Sequence, residues 1–154
     1  MTTSEPASDR SPRPSTGEFQ LHPRIRGRSR VPGPKLARFN LLDFAQALEE
    51  RDIDYQARHY AFDAEMRIVD PDNPPSAPQL VHGRPAIHAW LLHASTRDLG
   101  LRVTHLVDGG DRVAFTERWH HHDGTHVQAT STAEINNALI TMRHTILVWD
   151  HDIA

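Results

Sequence analysis

The sequence predicts one α+β domain, in which about three helices pack on one face of a mostly antiparallel β-sheet. Apolar residues recur at helical spacing between residues 36 and 95, and they alternate with polar residues after residue 100. Helices that precede a β-meander are typical of this fold class. The four alternating runs are 101–107, 113–122, 125–135 and 139–149, and Gly-Gly, Asp-Gly and Asn-Asn turn sequences separate them.

The elements before residue 100 follow from local signals. Apolar side chains spaced by three and four residues mark helices, and prolines exclude regular structure between them. In chain order we expect a helix within 36–50, a helix capped by Asp52 or Asp54 that includes Tyr60, a strand at 65–69, a proline-rich loop at 72–78 and a helix that Gly83-Arg84-Pro85 opens.

Composition limits the classes of function. The chain has 154 residues, no cysteine and a formal net charge of -3, which favours one domain without disulfides or thiolate chemistry. This charge gives no general attraction to nucleic acid or to a membrane surface. No apolar run approaches the roughly 20 residues of a membrane span, and the first residues do not resemble a signal peptide. We therefore expect a cytoplasmic protein that does not contact the membrane.

The first 35 residues differ from the rest of the chain. They hold six of the 11 prolines and seven basic groups against three acidic ones, with few apolar residues to offset the cost of ordering the backbone. We expect a flexible tail at 1–35 and a folded domain at 36–154. The arginines at 24, 26, 28 and 30 are either solvated or a weak contact for an acidic partner or nucleic acid.

Several short phrases of the chain carry a family resemblance. They are Arg51-Asp52-Ile53-Asp54, Tyr60-Ala61-Phe62-Asp63-Ala64, Val69-Asp70-Pro71, His82-Gly83-Arg84-Pro85-Ala86-Ile87 and the final Trp149-Asp150. Their order over about residues 36–150 resembles the nuclear-transport-factor-2-like superfamily, in particular SnoaL-like polyketide cyclases and ketosteroid isomerase-like members. The resemblance implies a cone-shaped sheet that encloses one apolar pocket with the helices, and a homodimer formed through the outer face of the sheet.

Asp70 is the first candidate catalytic residue. It resembles the general base of ketosteroid isomerases, which moves a proton between carbons beside a carbonyl group. The alternative is that Asp70 only forms an Asp-Pro turn. The positions that align with the oxyanion hole of that enzyme hold Phe44 and Ser131, so steroid isomerisation itself is not expected.

His105 and Glu49 form a second candidate pair. Alternation places His105 on a strand face with Leu101 and Val103, so the imidazole is expected to point into the fold. The pair resembles the catalytic histidine and acid of scytalone dehydratase-like members, which could divide acid and base roles. A structural core histidine is the alternative.

Arg118 resembles the arginine of limonene-epoxide-hydrolase-like members. The catalytic aspartates expected beside it are absent, because His120 and the region of His144 occupy those places. Arg118 could still bind an oxyanion, or it could form a surface pair with Glu117.

The histidines between 120 and 126 could be ligands of a metal ion. A hairpin tip is exposed and offers no second layer of ligand-orienting groups, so a solvated cluster is favoured and no metal is expected. Nucleotide-binding motifs are also lacking, so no cofactor is expected.

The combined prediction is a cofactor-free SnoaL-like enzyme that transfers protons on an apolar, carbonyl-bearing or polycyclic ligand. Tyr60 and Trp90 are the expected aromatic contacts of that ligand. The other expected ligand-binding residues are Phe44, Arg118, His120, Ser131 and His144. A non-catalytic binding or assembly protein that uses the same cavity is the alternative. The last strand is apolar on both sides, so we expect a homodimer through the sheet, with Leu147 and Trp149 facing outward.

Overall fold

A computed structural model describes residues 37–151, and the predicted tail lies outside this range. One six-stranded sheet has the order β2-β1-β6-β5-β4-β3, in which β1 and β6 are parallel and the other pairs are antiparallel. The predicted α+β class is confirmed. The elements are α1 (Leu41–Glu50), α2 (Ile53–Arg58), β1 (Tyr60–Val69), β2 (Gln79–His82), α3 (Arg84–Ser95), β3 (Asp98–Asp108), β4 (Arg112–His121), β5 (Thr125–Asn136) and β6 (Leu139–His151).

The helix starts follow the expected capping chemistry. The side chain of Asn40 accepts a hydrogen bond from the Asp43 backbone at 3.1 Å, and Asp52 does the same for Tyr55 at 3.0 Å. Pro85 stands in the first turn of α3, where its missing N–H costs nothing. Of the two predicted caps for α2, Asp52 is therefore the one used.

Two predictions about the first strands are wrong. Tyr60 does not belong to α2, because it pairs with Ile140 as the first residue of β1. The strand β2 was not expected, since it is short and follows a proline-rich loop. It adds an edge to the sheet by pairing with residues 65–68 of β1.

The core lies between the helices and the inner face of the sheet. Buried side chains of this kind each contribute about 1.5–3 kcal/mol relative to exposure. The largest apolar members are Phe44, Tyr60, Met66, Ile68, Ile87, Phe115 and Ile140.

A bulge changes which side chains of β6 face inward. Glu134 pairs with Met142 while Ile135 pairs with Ile140, so Thr141 is an extra residue in β6. Every later side chain of β6 therefore lies on the face opposite to the one that strict alternation predicts.

This bulge explains a wrong prediction. Leu147 was expected to face outward, but it is half-buried and packs against the core. The apolar side chains on the outer face are instead Ile146 and Val148, which are 53% and 55% exposed.

The helices α1, α2 and α3 have 10, 6 and 12 residues. Among residues 37–151, none is long and apolar enough to cross a membrane.

Candidate active site

A cavity of about 420 Å³ lies between α3 and the inner face of the sheet. Its walls include Trp90, Trp119 and Trp149, which are the three tryptophans of the chain. Carboxylates, imidazoles and one guanidinium group complete the lining. The cavity therefore combines aromatic walls with ionisable groups, which is typical of a small-molecule site.

The strand register positions two of the indoles. Trp119 of β4 and Trp149 of β6 both pair with Val127 of β5, which lies between them. Alternate strands of a sheet are about 10 Å apart, so the two indoles flank Val127 on one face. Trp90 reaches the same cavity from α3. Trp149 had been expected to face outward, and the bulge in β6 is the reason that it does not.

Asp70 lines the cavity directly after β1. Its Oδ1 accepts hydrogen bonds from the Asp72 backbone at 2.9 Å and from the backbone and side chain of Asn73 at 2.7 and 2.9 Å. All three of these hydrogen bonds are made to the same carboxylate oxygen. The residue thus makes a turn and also presents one carboxylate oxygen in a fixed orientation.

His121 stands across the cavity from the β1 end of the sheet, in β4. Its Nδ1 lies 2.9 Å from the backbone oxygen of Arg97. A carbonyl oxygen only accepts, so Nδ1 carries the proton and the lone pair of the neutral imidazole is on Nε2. This is the tautomer in which Nε2 can act as a base.

Asp123 adds a charged group to the same wall. Hydrogen bonds from the side chain and the backbone of Thr125 lower the pKa of this exposed carboxyl, and the proximity of His121 and Arg97 adds to the effect. Asp123 is therefore ionised at neutral pH.

A buried polar network lies deeper in the fold. Arg143, which is 1% exposed, donates to Glu117 at 2.5 Å and to the Tyr60 hydroxyl at 3.0 Å. The same guanidinium group donates to Ser131 and Thr145, each at 3.2 Å. Burial raises the pKa of Tyr60, so its hydroxyl stays protonated.

The charge state of Arg143 follows from its neighbours. Burial alone would lower the pKa of this group, but the electrostatic and hydrogen-bond interactions with the Tyr60 hydroxyl and the Glu117 carboxylate outweigh that effect and raise it. A small cavity of about 30 Å³ lies against Glu117 and Arg143, and Trp90 and Trp119 line both this cavity and the larger one. The indoles thus stand between the larger cavity and the ion pair.

His105 and Glu49 do not line the cavity, and the inward orientation predicted for His105 is wrong. A bulge between Thr104 and Val107 interrupts the alternation of β3, and His105 is exposed with a φ of 53°. Glu49 instead accepts a hydrogen bond from the Val103 backbone at 2.8 Å, which ties α1 to the edge strand β3.

The predicted binding residues fall into three places. Phe44, Tyr60 and Ser131 are fully buried in the closed core, where Phe44 packs on Phe115 with ring centroids 5.8 Å apart. Trp90 lines the cavity. The other three predicted binding residues, Arg118, His120 and His144, are exposed on the outer face of the sheet.

Two sequence hypotheses concern Glu117 and the histidines of the hairpin. Glu117 does not pair with Arg118 on the surface, because it faces inward to Arg143. His120 stacks on His126 with ring centroids 4.3 Å apart, yet no group of three metal-ligating side chains occurs in the part of the chain that the structure describes.

Sequence reasoning missed several residues of the cavity, among them His93, Arg97, His121 and Asp123. One signal was available. Trp119 and Val127 alternate with polar residues on adjacent predicted strands, which marks the inner face on which the cavity forms.

Comparisons with known proteins agree with this fold. Among curated proteins, none matches the chain at a significant level. A proposed ketosteroid isomerase from Kribbella flavida superposes with a TM-score of 0.55 at 18% identity, covering 72% of this chain and 75% of that one. An NTF2-like protein of unknown function from Burkholderia xenovorans gives 0.56 at 19% identity, covering 74% and 82%.

A third solved structure is a proposed SnoaL-like polyketide cyclase from Mesorhizobium loti. It has a TM-score of 0.51 and 18% identity, and the match covers 68% of this chain and 92% of that one. At such identities the likeness shows the fold alone. The model of the SnoaL-like domain matches residues 41–142, which is most of the chain. The chain therefore belongs to the SnoaL-like domain family.

Proposed function

We propose that this chain binds a small organic molecule in the tryptophan-walled cavity and catalyses a cofactor-independent proton transfer on it. Isomerisation, dehydration and cyclisation are the reactions that such a transfer allows. The observation that carries the proposal is the presence of Asp70 and His121 in the wall of one cavity that three indoles also line.

The chemistry follows from the orientation of these groups. The three hydrogen bonds to Oδ1 hold Asp70 so that Oδ2 can take a proton from carbon beside a carbonyl group. The Nε2 of His121 can accept or return a proton in a second step. Arg97, in the same wall, supplies donors for the oxygen on which negative charge develops. Glu49 and His105 have no part in this scheme.

A second candidate function is binding without catalysis. One observation favours it: of the predicted catalytic residues Asp70, His105 and Glu49, only Asp70 lines the cavity. If the carboxylate of Asp70 serves only the turn, the reaction scheme loses its first base, and the aromatic walls can still bind a ligand.

Native mass spectrometry of the protein isolated from its own host distinguishes the two functions. Any retained metabolite is identified, returned to fresh protein and analysed again after incubation. Conversion of the metabolite by the wild type, lost in Asp70→Asn, supports catalysis. Release of an unaltered metabolite would contradict the catalytic proposal and support binding.

The choice of asparagine matters for this test. Asp70→Asn retains an Oδ1 that accepts the three turn hydrogen bonds, so the loop is preserved while the second oxygen is replaced by an amide. Asp63→Asn is the matched control, because Asp63 is an exposed carboxylate of β1 outside the cavity wall.

A further inference from the structure

We infer that the cavity selects a ligand bearing an organic cation, a tertiary or quaternary ammonium group, which the three indoles and the carboxylates of Asp70 and Asp72 hold. The inference rests on the proposed function, because it names the substrate class of the same cavity. It replaces the uncharged apolar ligand that the sequence favours.

The aromatic walls are the first argument. Tryptophan is the best partner for an organic cation, because the face of the indole carries the strongest negative potential of the natural side chains. Trp119 and Trp149 approach from the sheet on either side of Val127, and Trp90 approaches from α3. Walls on several sides let a bulky ammonium group contact more than one ring.

The charge of the wall is the second argument. Three carboxylates line the cavity against one guanidinium group. Arg97 lies near enough to Asp123 to contribute to its lowered pKa, so these two charges offset each other. Asp70 and Asp72 remain at the opposite part of the lining, and the Asp72 backbone donates to Asp70 at 2.9 Å.

The alternatives fit this lining less well. An uncharged polycyclic ligand would remove water from Asp70 and Asp72 without supplying a compensating charge, and that desolvation is costly. An anionic ligand would meet three carboxylates, and Arg97, the one guanidinium group of the lining, already lies near one of them, Asp123. A cationic ligand satisfies both the indoles and the two carboxylates.

Three probes of one shape test the inference on the intact protein. Choline is a cation, 3,3-dimethylbutan-1-ol is its uncharged carbon isostere, and 3,3-dimethylbutanoate is an anion of similar size. Intrinsic tryptophan fluorescence reports binding, because all three tryptophans line the cavity. We expect choline to bind at least about fivefold more tightly than the alcohol, and the butanoate to bind most weakly.

Variants then show which groups cause the selectivity. Calorimetry measures the affinity of each variant for the probes. Trp149→Leu keeps an apolar side chain without the indole, and Asp72→Asn removes one charge. Each is expected to weaken choline binding severalfold while the alcohol changes little. Asp63→Asn, outside the cavity, should retain the wild-type affinity for all three probes.

Two results would overturn the inference. If the alcohol binds as tightly as choline and Trp149→Leu weakens both alike, the cavity is a ligand site without charge selectivity, and the proposed function survives. If the butanoate binds most tightly, Arg97 dominates the cavity and the ligand class is anionic. Metabolite conversion by the wild type is measured separately, so a failure of the proposed function is recognised independently.

Discussion

Arg143 illustrates how one residue can organise the interior. Its guanidinium group is buried and has four side-chain partners. Burying two ions costs desolvation free energy. Their mutual attraction offsets this cost only where hydrogen bonds satisfy the remaining polar groups of both ions. Removing one partner leaves the other as an uncompensated buried charge, which is the costly event.

The first prediction concerns this pair. Arg143→Met should lower the free energy of unfolding by about 3–5 kcal/mol, because Glu117 then stays buried without a counterion. The double variant with Glu117→Leu should be more stable than Arg143→Met alone. Urea denaturation measures both values. A loss below about 1 kcal/mol in the single variant would mean that Glu117 reaches water.

Tyr60 gives a prediction about alkaline pH. Burial raises the pKa of Tyr60 above its ordinary value of 10.0, so above that pH the unfolded chain loses the phenolic proton before the folded chain does. The folded state then binds more protons, and stability falls as pH rises. Below pH 10 this contribution to stability is fully present.

The test compares the two tyrosines of the chain. We expect the free energy of unfolding to fall between about pH 9 and about pH 11 in the wild type, and to fall less in Tyr60→Phe. Tyr55→Phe, at a half-buried tyrosine, is the control and should retain the wild-type slope. An identical slope in Tyr60→Phe would show that the buried hydroxyl does not cause the alkaline loss.

At the residue scale, the sequence predicted side-chain chemistry better than side-chain partners. Trp90 and Asp70 were identified, because a helix stripe and a strand end fix where they point. The partner of Glu117 was not identified from the sequence, because Arg143 is 26 residues away and only the fold brings the two residues together.

Among the elements, α1 and β3 are joined by one side chain. β3 is an edge strand, and Glu49 accepts the Val103 backbone hydrogen bond at 2.8 Å. An edge strand has backbone groups that no neighbouring strand can bind. The Glu49 carboxylate supplies the acceptor that a neighbouring strand would otherwise provide for the Val103 N–H.

The prediction for this contact separates a structural from a catalytic role. Glu49→Ala should cost about 1–2 kcal/mol and speed amide hydrogen exchange in β3, because the Val103 N–H loses its acceptor. Glu49→Gln retains an acceptor oxygen and should behave nearly as the wild type in both measurements. A metabolite turnover that falls with Glu49→Gln while stability is unchanged would contradict this assignment.

At the element scale, the sequence predicted the helices and the meander because their periods and turn residues are local. It did not predict two bulges. The extra residue near Thr141 inverted the faces of β6, and the bulge before Val107 turned His105 out to solvent. Neither position carries a glycine or proline that would have marked it, so strict alternation gave the wrong face.

For the whole molecule, we propose a homodimer through the outer face of the sheet. Ile146 and Val148 of β6 are more than half exposed on this face, beside polar residues of β5. A two-fold axis would pack Ile146 and Val148 of one subunit against the same residues of the second subunit. This contact would remove the apolar side chains of both subunits from water.

Sedimentation tests the dimer. Ile146→Lys and Val148→Lys should each convert a dimer to monomers at micromolar concentration without a large change in secondary structure. Leu42→Lys is the control, because Leu42 is also an exposed apolar residue, at 71%, but belongs to α1 and not to the sheet. A wild type that sediments as a monomer would contradict the proposal.

The central claim for the molecule is that the tryptophan-walled cavity transfers protons through Asp70. The most direct test is the rate at which solvent deuterium enters the metabolite that the protein retains from its host. We expect rapid incorporation by the wild type and by Asp63→Asn, and a rate lower by about 10²-fold or more in Asp70→Asn. Incorporation by Asp70→Asn at the wild-type rate, or none by the wild type, would contradict it.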